Sequence, residues 1–236
     1  MPDRQRALIF DYDGVIVDSE DRAARAVCRY LAGRGVSIGL PDLSEFFGST
    51  DPNVYRAWRE ALSGWLGAAH DLDAINGDIE DLIATVKREA QVLSGVRELI
   101  DEARRAGWGI GLATGAQRNR LERELEARGL RTRFDAVVTA DQVARGKPQP
   151  DIFLRAAQEL AVDPQRCVVV EDSLHGTLAA LAAGMRVILC PCEVTSHCNF
   201  PQGPYRVGSL LEVSLSHLED DDLGRSGVTI ADAAQQ

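Results

Sequence analysis

The sequence predicts an α/β fold, a parallel sheet with a helical segment inserted after its first strand, and three observations carry that prediction. Short runs rich in β-branched and aliphatic residues recur at residues 7–10, 110–113, 136–138, 167–170 and 187–190, with helical periodicity between them. These runs are almost continuously apolar instead of alternating, as in strands buried on both faces. Between the first run and the second lie about ninety residues with no convincing strand, too many for a loop inside a compact domain.

The first strand leads straight into Asp11-Tyr12-Asp13-Gly14-Val15. In the long segment that follows, Ala23, Val27, Tyr30 and Leu31 form one helical stripe. Leu72, Ile75, Ile79, Leu82, Ile83 and Val86 form a longer one, with residues 54–66 between them. An all-helical insert over residues 19–91 is therefore expected, with residues 1–18 and 92–218 forming the core. In the core, Val96, Leu99, Ile100 and Ala103 make one apolar stripe and Ile152, Phe153, Ala156, Ala157 and Leu160 another. Gly107 and Gly184 stand where helices should end, and Pro150 where one should begin. Residues 219–236, acidic and then rich in glycine, alanine and glutamine, read as a flexible tail.

Composition narrows the function. A formal net charge of -10 and a pI near 4.9 argue against nucleic acid as a partner, because a phosphate-backbone grip needs clustered cations. An anionic small substrate would need a local electropositive site, supplied by a metal, a lysine or a helix N-terminus. The polar residues 1–6 run into only four apolar ones, too few for a signal segment or a membrane span, so a cytoplasmic protein without membrane attachment is expected, a monomer or weak homodimer. Five cysteines in a chain this long make no disulfide framework. Of 26 basic residues all but two, Lys87 and Lys147, are arginine, so each lysine marks a place where a compact charge on a flexible stem is a candidate requirement.

The candidate chemistry sits at strand ends. Asp11 and Asp13 follow the first strand, Glu171 and Asp172 the fourth, and carboxyl ends of strands in open α/β sheets are where ligands bind. Acids placed there need compensation, and converging carboxylate oxygens suit a hard cation such as magnesium. The competing reading is a pair of turns shaped by Asp13-Gly14 and by Ser173 and Gly176. Thr114-Gly115 before a helix near Gln117 offers a hydroxyl, an open backbone N–H and a helix dipole for a phosphate, although an ordinary helix start has the same pattern. Lys147, stiffened by Pro148 and Pro150, could put a fixed charge on a phosphate and a nucleophilic carboxylate, or be a surface lysine.

In this order the four pieces resemble the haloacid dehalogenase-like superfamily, across nearly all of residues 8–189. Asp11-Tyr12-Asp13-Gly14-Val15 is similar to its first motif and Thr114 to its second. Lys147-Pro148-Gln149-Pro150-Asp151 is similar to the third, and Glu171-Asp172-Ser173 to the fourth. The insert after the first motif resembles the C1 cap of the β-phosphoglucomutase and CbbY-like phosphatase subgroup. The resemblance implies a Rossmann-like core and hydrolysis of a small phosphorylated metabolite, a sugar phosphate by subgroup, through an aspartyl phosphate. Asp11 would attack phosphorus. Asp13 would protonate the leaving oxygen and then activate water. Mg2+ would be held by Asp11, the Asp13 carbonyl and Asp172, with Glu171 as ligand or support and Ser173 behind it. Thr114, Gly115 and Lys147 would hold the phosphoryl oxygens, and the helical cap would close over them.

Departures narrow the field further. Dehalogenases and phosphonoacetaldehyde hydrolases of this superfamily lack an acid in the place of Asp13. The latter also need a cap lysine, and Lys87, in Val86-Lys87-Arg88-Glu89, reads as part of a solvated helix face. Ala23 stands where β-phosphoglucomutase has a histidine, and Asp51 near where it has a phosphate-anchoring arginine. Hydrolysis is therefore expected ahead of a phosphomutase, and either ahead of a non-catalytic binding protein of the same fold. Cys190, Cys192, His197 and Cys198 are dense enough for zinc but have no standard spacing, so packing is the favoured reading. His175 could touch substrate or merely cover its turn.

Overall fold

The computed structural model describes residues 5–49, 51–67 and 70–219. β1 (Ala7–Phe10) is followed by four helices without an intervening strand, α1 (Ser19–Ala32), α2 (Leu40–Leu43), α3 (Pro52–Leu66) and α4 (Leu72–Glu89). Strands and helices then alternate: α5 (Val96–Arg105), β2 (Gly109–Thr114), α6 (Arg118–Ala127), β3 (Ala136–Thr139), α7 (Asp151–Leu160), β4 (Cys167–Glu171), α8 (Leu174–Ala182) and β5 (Arg186–Leu189). The two-residue β6 (Tyr205–Arg206) and the short α9 (Ser216–Glu219) complete the described chain. No helix among the described residues is long and apolar enough to cross a membrane.

The strands form one parallel sheet in the order β3-β2-β1-β4-β5-β6. The chain steps outward from β1 through β2 to β3, then crosses back to lay β4 on the other flank of β1, pairing Ala7 with both Gly109 and Cys167. Strand order thus reverses at β1, and the loops leaving β1, β2 and β4 diverge there, opening a crevice at their carboxyl ends.

Alternate strand residues serve opposite layers. Leu8, Phe10, Ile110, Leu112, Val168 and Val170 pack with α5 and α6, while Ala7, Ile9, Ala113 and Val169 pack with α7 and α8. Both faces are covered, which is why the strands read as unbroken apolar runs. The stripes expected on α5 and α7 are the buried ones, and Gly107 and Gly184 take positive φ just beyond α5 and α8, where a side chain would be strained.

The insert has its own apolar cluster, with Ala24, Val27 and Leu31 of α1 against Leu62, Leu66, Ile75 and Ile79 of α3 and α4. Asp51 and Asp71 cap α3 and α4 by accepting from the N–H groups of Asn53 and of Asp73 and Ala74. The two chain crossings between insert and core pair with each other: Val17 bridges Val92, and the Leu93 N–H donates to the Ile16 carbonyl at 2.9 Å. Sequence missed β6, because two residues carry no periodicity. Of the expected tail, Glu219 closes α9 and residues 220–236 lie outside the described residues.

Ile100 on α5 is fully buried between helix and sheet. Ile100→Ala should lower unfolding free energy by about 2–5 kcal/mol, the usual range for emptying such a site, as a fall in the urea midpoint with unchanged slope.

Candidate active site

Asp11 is the first residue past β1, and its N–H donates to the Val170 carbonyl of β4 at 2.9 Å, so the backbone is held at the reversal point. Its carboxylate is buried and accepts from Lys147 Nζ at 2.6 Å. Lys147 comes from the β3–α7 connection and also binds the Glu171 carboxylate at the end of β4, its ammonium lying 5.0 Å from the centroid of the Phe153 ring. Burial works against the ammonium form, but Asp11 and Glu171 outweigh it and hold Lys147 protonated. Glu171 is fully buried, and its second oxygen accepts from the N–H groups of Asp172 and Ser173 and from Ser173 Oγ, each at 2.9 Å. Ser173 caps α8 by accepting from Gly176 N–H at 3.1 Å. Gly176 is obligatory, since a Cβ there would lie 1.7 Å from Glu171 Oε1.

Asp11, Glu171 and Asp172 bring carboxylate oxygens within 4.8 Å of one another, the one such group of metal-capable side chains among the described residues. All three are buried, and Lys147 pairs with two of them, Asp11 and Glu171. Asp172 receives only long contacts, from the Cys192 thiol and the Thr195 hydroxyl, both at 3.5 Å. Burial and the neighbouring acids raise the Asp172 carboxyl well above the ordinary range. The same burial raises Asp11 to about 7, with Lys147 opposing and Glu171 adding. Three buried carboxylates against one ammonium leave negative charge that a divalent cation would neutralise, and an all-oxygen donor set suits a hard ion. The residues fit a metal. Gly14, at φ 82°, lets the loop lie against Asp172, where a Cβ would come within 2.3 Å of Oδ2.

Asp13 has a separate set of partners. Its carboxylate accepts from Ser19 Oγ at 2.8 Å and from Arg120 Nη2 at 3.0 Å, and pairs with Lys87 Nζ at 3.2 Å. Burial alone would raise its pKa, but Lys87, Arg120 and the Ser19 hydrogen bond together lower it to about 2. The solvated face expected for Lys87 is therefore wrong. Lys87 is largely buried and binds both Asp13 and Glu20, the latter at 3.0 Å. The reason lies outside its own helix: the Arg128 guanidinium, just past α6, donates to the carbonyls of Lys87, Arg88 and Ala90, and so fixes the end of α4 against the core. Arg120 reaches Asp13 from the first turns of α6 while also binding Glu124 at 2.8 Å.

Thr114, the last residue of β2, is buried and accepts from the Ala116 N–H at 3.2 Å. With Gly115 it lines a cavity of about 170 Å³ that also touches Asp11, Asp13, Glu20, Lys87, Arg120 and Lys147. The predicted Asp11, Asp13, Thr114, Gly115 and Lys147 thus meet in one space, with Glu171, Asp172 and Ser173 behind it. Sequence reasoning missed Ser19, Glu20, Lys87 and Arg120. The scarcity of lysine was the one signal available for Lys87, and local charge pattern overrode it.

His175 lies outside that cavity, its ring against the Phe47 backbone. The cysteines pack separately: Cys192 faces Asp172 and Thr195, and Cys198 Sγ lies 3.3 Å from the Ser44 carbonyl oxygen. Ala23 is buried in α1, and Asp51 is occupied as the cap of α3.

The haloacid dehalogenase-like hydrolase family matches residues 5–184. The chain belongs to that family. Its motifs, in the order of the sequence, are the residues that converge at the ends of β1, β2 and β4. Hexitol phosphatase B of Escherichia coli is 33% identical over 214 residues, spanning 90% of this chain and 96% of that protein. The protein CbbY of Rhodobacter capsulatus is 30% identical, over 87% and 93%. Among solved structures, a CbbY variant from Rhodobacter sphaeroides in complex with xylulose-(1,5)bisphosphate is 29% identical with a TM-score of 0.62, covering 89% of this chain and 96% of its own. A family hydrolase from Deinococcus radiodurans with bound phosphate and sodium is 27% identical with a TM-score of 0.67, covering 93% and 97%.

In this hydrolase the raised Asp11 has a signed effect on stability. The unfolded aspartate titrates near 3.8 and the folded one near 7, so the folded state binds the extra proton between those values. The metal-free protein should lose stability as pH rises from about 4 to 7. Asp11→Asn should remove part of that loss and raise the melting temperature by several degrees at pH 7.5 in chelator, with little effect at pH 4.

Proposed function

We propose that this enzyme is a magnesium-dependent phosphatase that hydrolyses a phosphate monoester of a small metabolite through an aspartyl phosphate on Asp11. The observation that supports it most is the pairing of Asp11 with Lys147 inside a cluster of acids whose charge a divalent cation would balance. Asp11 and Asp172 would hold Mg2+, with Glu171 and the Asp13 carbonyl completing the set. When bound, the ion neutralises charge on the phosphoryl oxygens.

Lys147 neutralises Asp11 until the phosphoryl group arrives, and can then share its charge with the transferring oxygens. Asp11 attacks phosphorus, and the bond to the ester oxygen breaks. Asp13 delivers the proton that oxygen needs, then takes one from the water that attacks phosphorus, which releases inorganic phosphate and restores Asp11. Between substrates Lys87 and Arg120 keep Asp13 ionised. An incoming phosphate dianion competes for those cations, and drawing one away restores the burial effect that raises a carboxyl pKa. Thr114 and Gly115 offer a hydroxyl and a backbone N–H to the phosphoryl oxygens. The insert, residues 19–91, acts as the cap that supplies Lys87 and Glu20 and excludes bulk water.

The relatives suggest sugar phosphates as the class to assay first. A phosphomutase must hold a second phosphate, and the buried Ala23 and the committed Asp51 provide no cation for it.

Asp11→Asn should lose at least about 10³-fold in hydrolysis of p-nitrophenyl phosphate, and EDTA should abolish wild-type turnover until Mg2+ is restored. Turnover unaffected by either would mean a differently built hydrolase, and no turnover of any ester a non-catalytic protein. Lys87→Met removes one of the two cations on Asp13, so the acidic limb of the kcat profile should move to higher pH and kcat should fall about 10- to 100-fold. A lysine that merely held α4 in place would leave that limb where it was.

A further inference from the structure

Beside the catalytic cavity lies a second, larger one of about 450 Å³, a cleft lined by α1, α3, α4 and the segment after α2. Glu20, Gly48, Ser49 and Lys87 line both. Lys87 pairs with Asp13, the proposed donor to the leaving oxygen, so the second cavity opens on the leaving-group side of the reaction.

Its walls are chiefly Phe46, Phe47, Val54, Trp58, Ile79 and Ile83. The polar atoms among them are mostly committed to one another. The Asn76 side chain accepts from Trp58 Nε1 at 2.9 Å and donates to Tyr55 OH at 3.1 Å and to Glu80 at 2.6 Å. Asp51 accepts from the Asn53 N–H, and Ser49 Oγ from the Asp51 N–H. Trp58 stands edge-on to Phe46, with ring centroids 5.4 Å apart. One buried polar atom is left over. Glu20 is 3% exposed, its Oε1 takes Lys87, and its Oε2 has no partner.

A polyol such as a hexitol would set several hydroxyls against these apolar walls, where few polar partners are free to receive them. An apolar body would be favoured by the same walls. We infer that the substrate is a phosphate monoester of an alcohol with an apolar, ring-bearing body and one hydrogen-bond donor close to the ester carbon, the body filling the cavity between α1, α3 and α4 and the donor meeting Glu20 Oε2. This substrate class presupposes the phosphatase chemistry of Asp11 and departs from the sugar phosphates suggested by the relatives.

The test uses the full chain with Mg2+ and four esters: 2-hydroxy-3-phenylpropyl phosphate, its deoxy form 3-phenylpropyl phosphate, glycerol 1-phosphate and a hexitol 6-phosphate. The hydroxyphenyl ester should exceed glycerol 1-phosphate and the hexitol ester in kcat/KM by about 10- to 100-fold, and the deoxy ester by about tenfold. Val54→Trp, which fills the cavity from α3, should bring the ratio of the hydroxyphenyl to the glycerol ester towards one. A hexitol or glycerol ester turned over as well as the phenyl esters overturns the assignment, as does a ratio unmoved by Val54→Trp. Calorimetric titration of Asp11→Asn with the same esters separates the two levels. Preferential binding of the phenyl esters without wild-type turnover of any ester would sink the phosphatase chemistry and leave the pocket assignment standing. Equal binding of all four would sink the pocket assignment whatever the turnover.

Discussion

Lys147 between Asp11 and Glu171 is the contact on which the rest of the site depends. Lys147 neutralises two buried carboxylates at once, and removing it would strand both away from water, the kind of loss that costs about 3–5 kcal/mol. Much of the local architecture serves that pairing. The β1–β4 register sets Asp11 beside the end of β4, Gly176 leaves room for Glu171, and Ser173 with two backbone N–H groups fixes the carboxylate that Lys147 meets. Asp172 pairs with no cation among the described residues, so its charge is left to be balanced by a proton or by a metal ion.

A second charge network ties the helical insert to the sheet. Arg120, Glu124 and Arg128 form a ladder along α6, with Arg120 reaching down to Asp13 and Arg128 capping the carbonyls at the end of α4. Because Lys87 stands in that last turn, the docking of insert on core and the ionisation of Asp13 are a single electrostatic arrangement. Gly48 gives a further point of contact, at φ 76°, where a Cβ would lie 2.2 Å from that of Ser173. A movement of the insert would therefore change the protonation of the acid at the site.

Most of the fold and most of the residues gathered at the site were legible in the chain. Strands buried on both faces announce themselves as apolar runs, and Asp11, Asp13, Thr114, Glu171 and Asp172 stand at or just beyond strand ends, where register carries them to one edge, while Lys147, in the β3–α7 connection, was marked by the scarcity of lysine and by its neighbouring prolines. Lys87, Glu20 and Arg120 lie on helices, flanked by other charged residues, and nothing local separates an inward-facing cation from a solvated one. Lys87 shows the error in particular: Val86-Lys87-Arg88-Glu89 has the composition of an exposed turn, yet its ammonium meets Asp13 and Glu20, and Arg128, forty-one positions away, holds its carbonyl.

Sequence alone thus determined the α/β class, the position of the insert and the residues whose chemistry follows from standing at a strand end, because period and burial are written into consecutive residues. Tertiary structure decided the partners of Asp13, the separation of the cysteines and the apolar character of the cavity beside the acids. Those depend on which helix faces meet, and on whether each polar atom has already been satisfied by a neighbour distant in the chain.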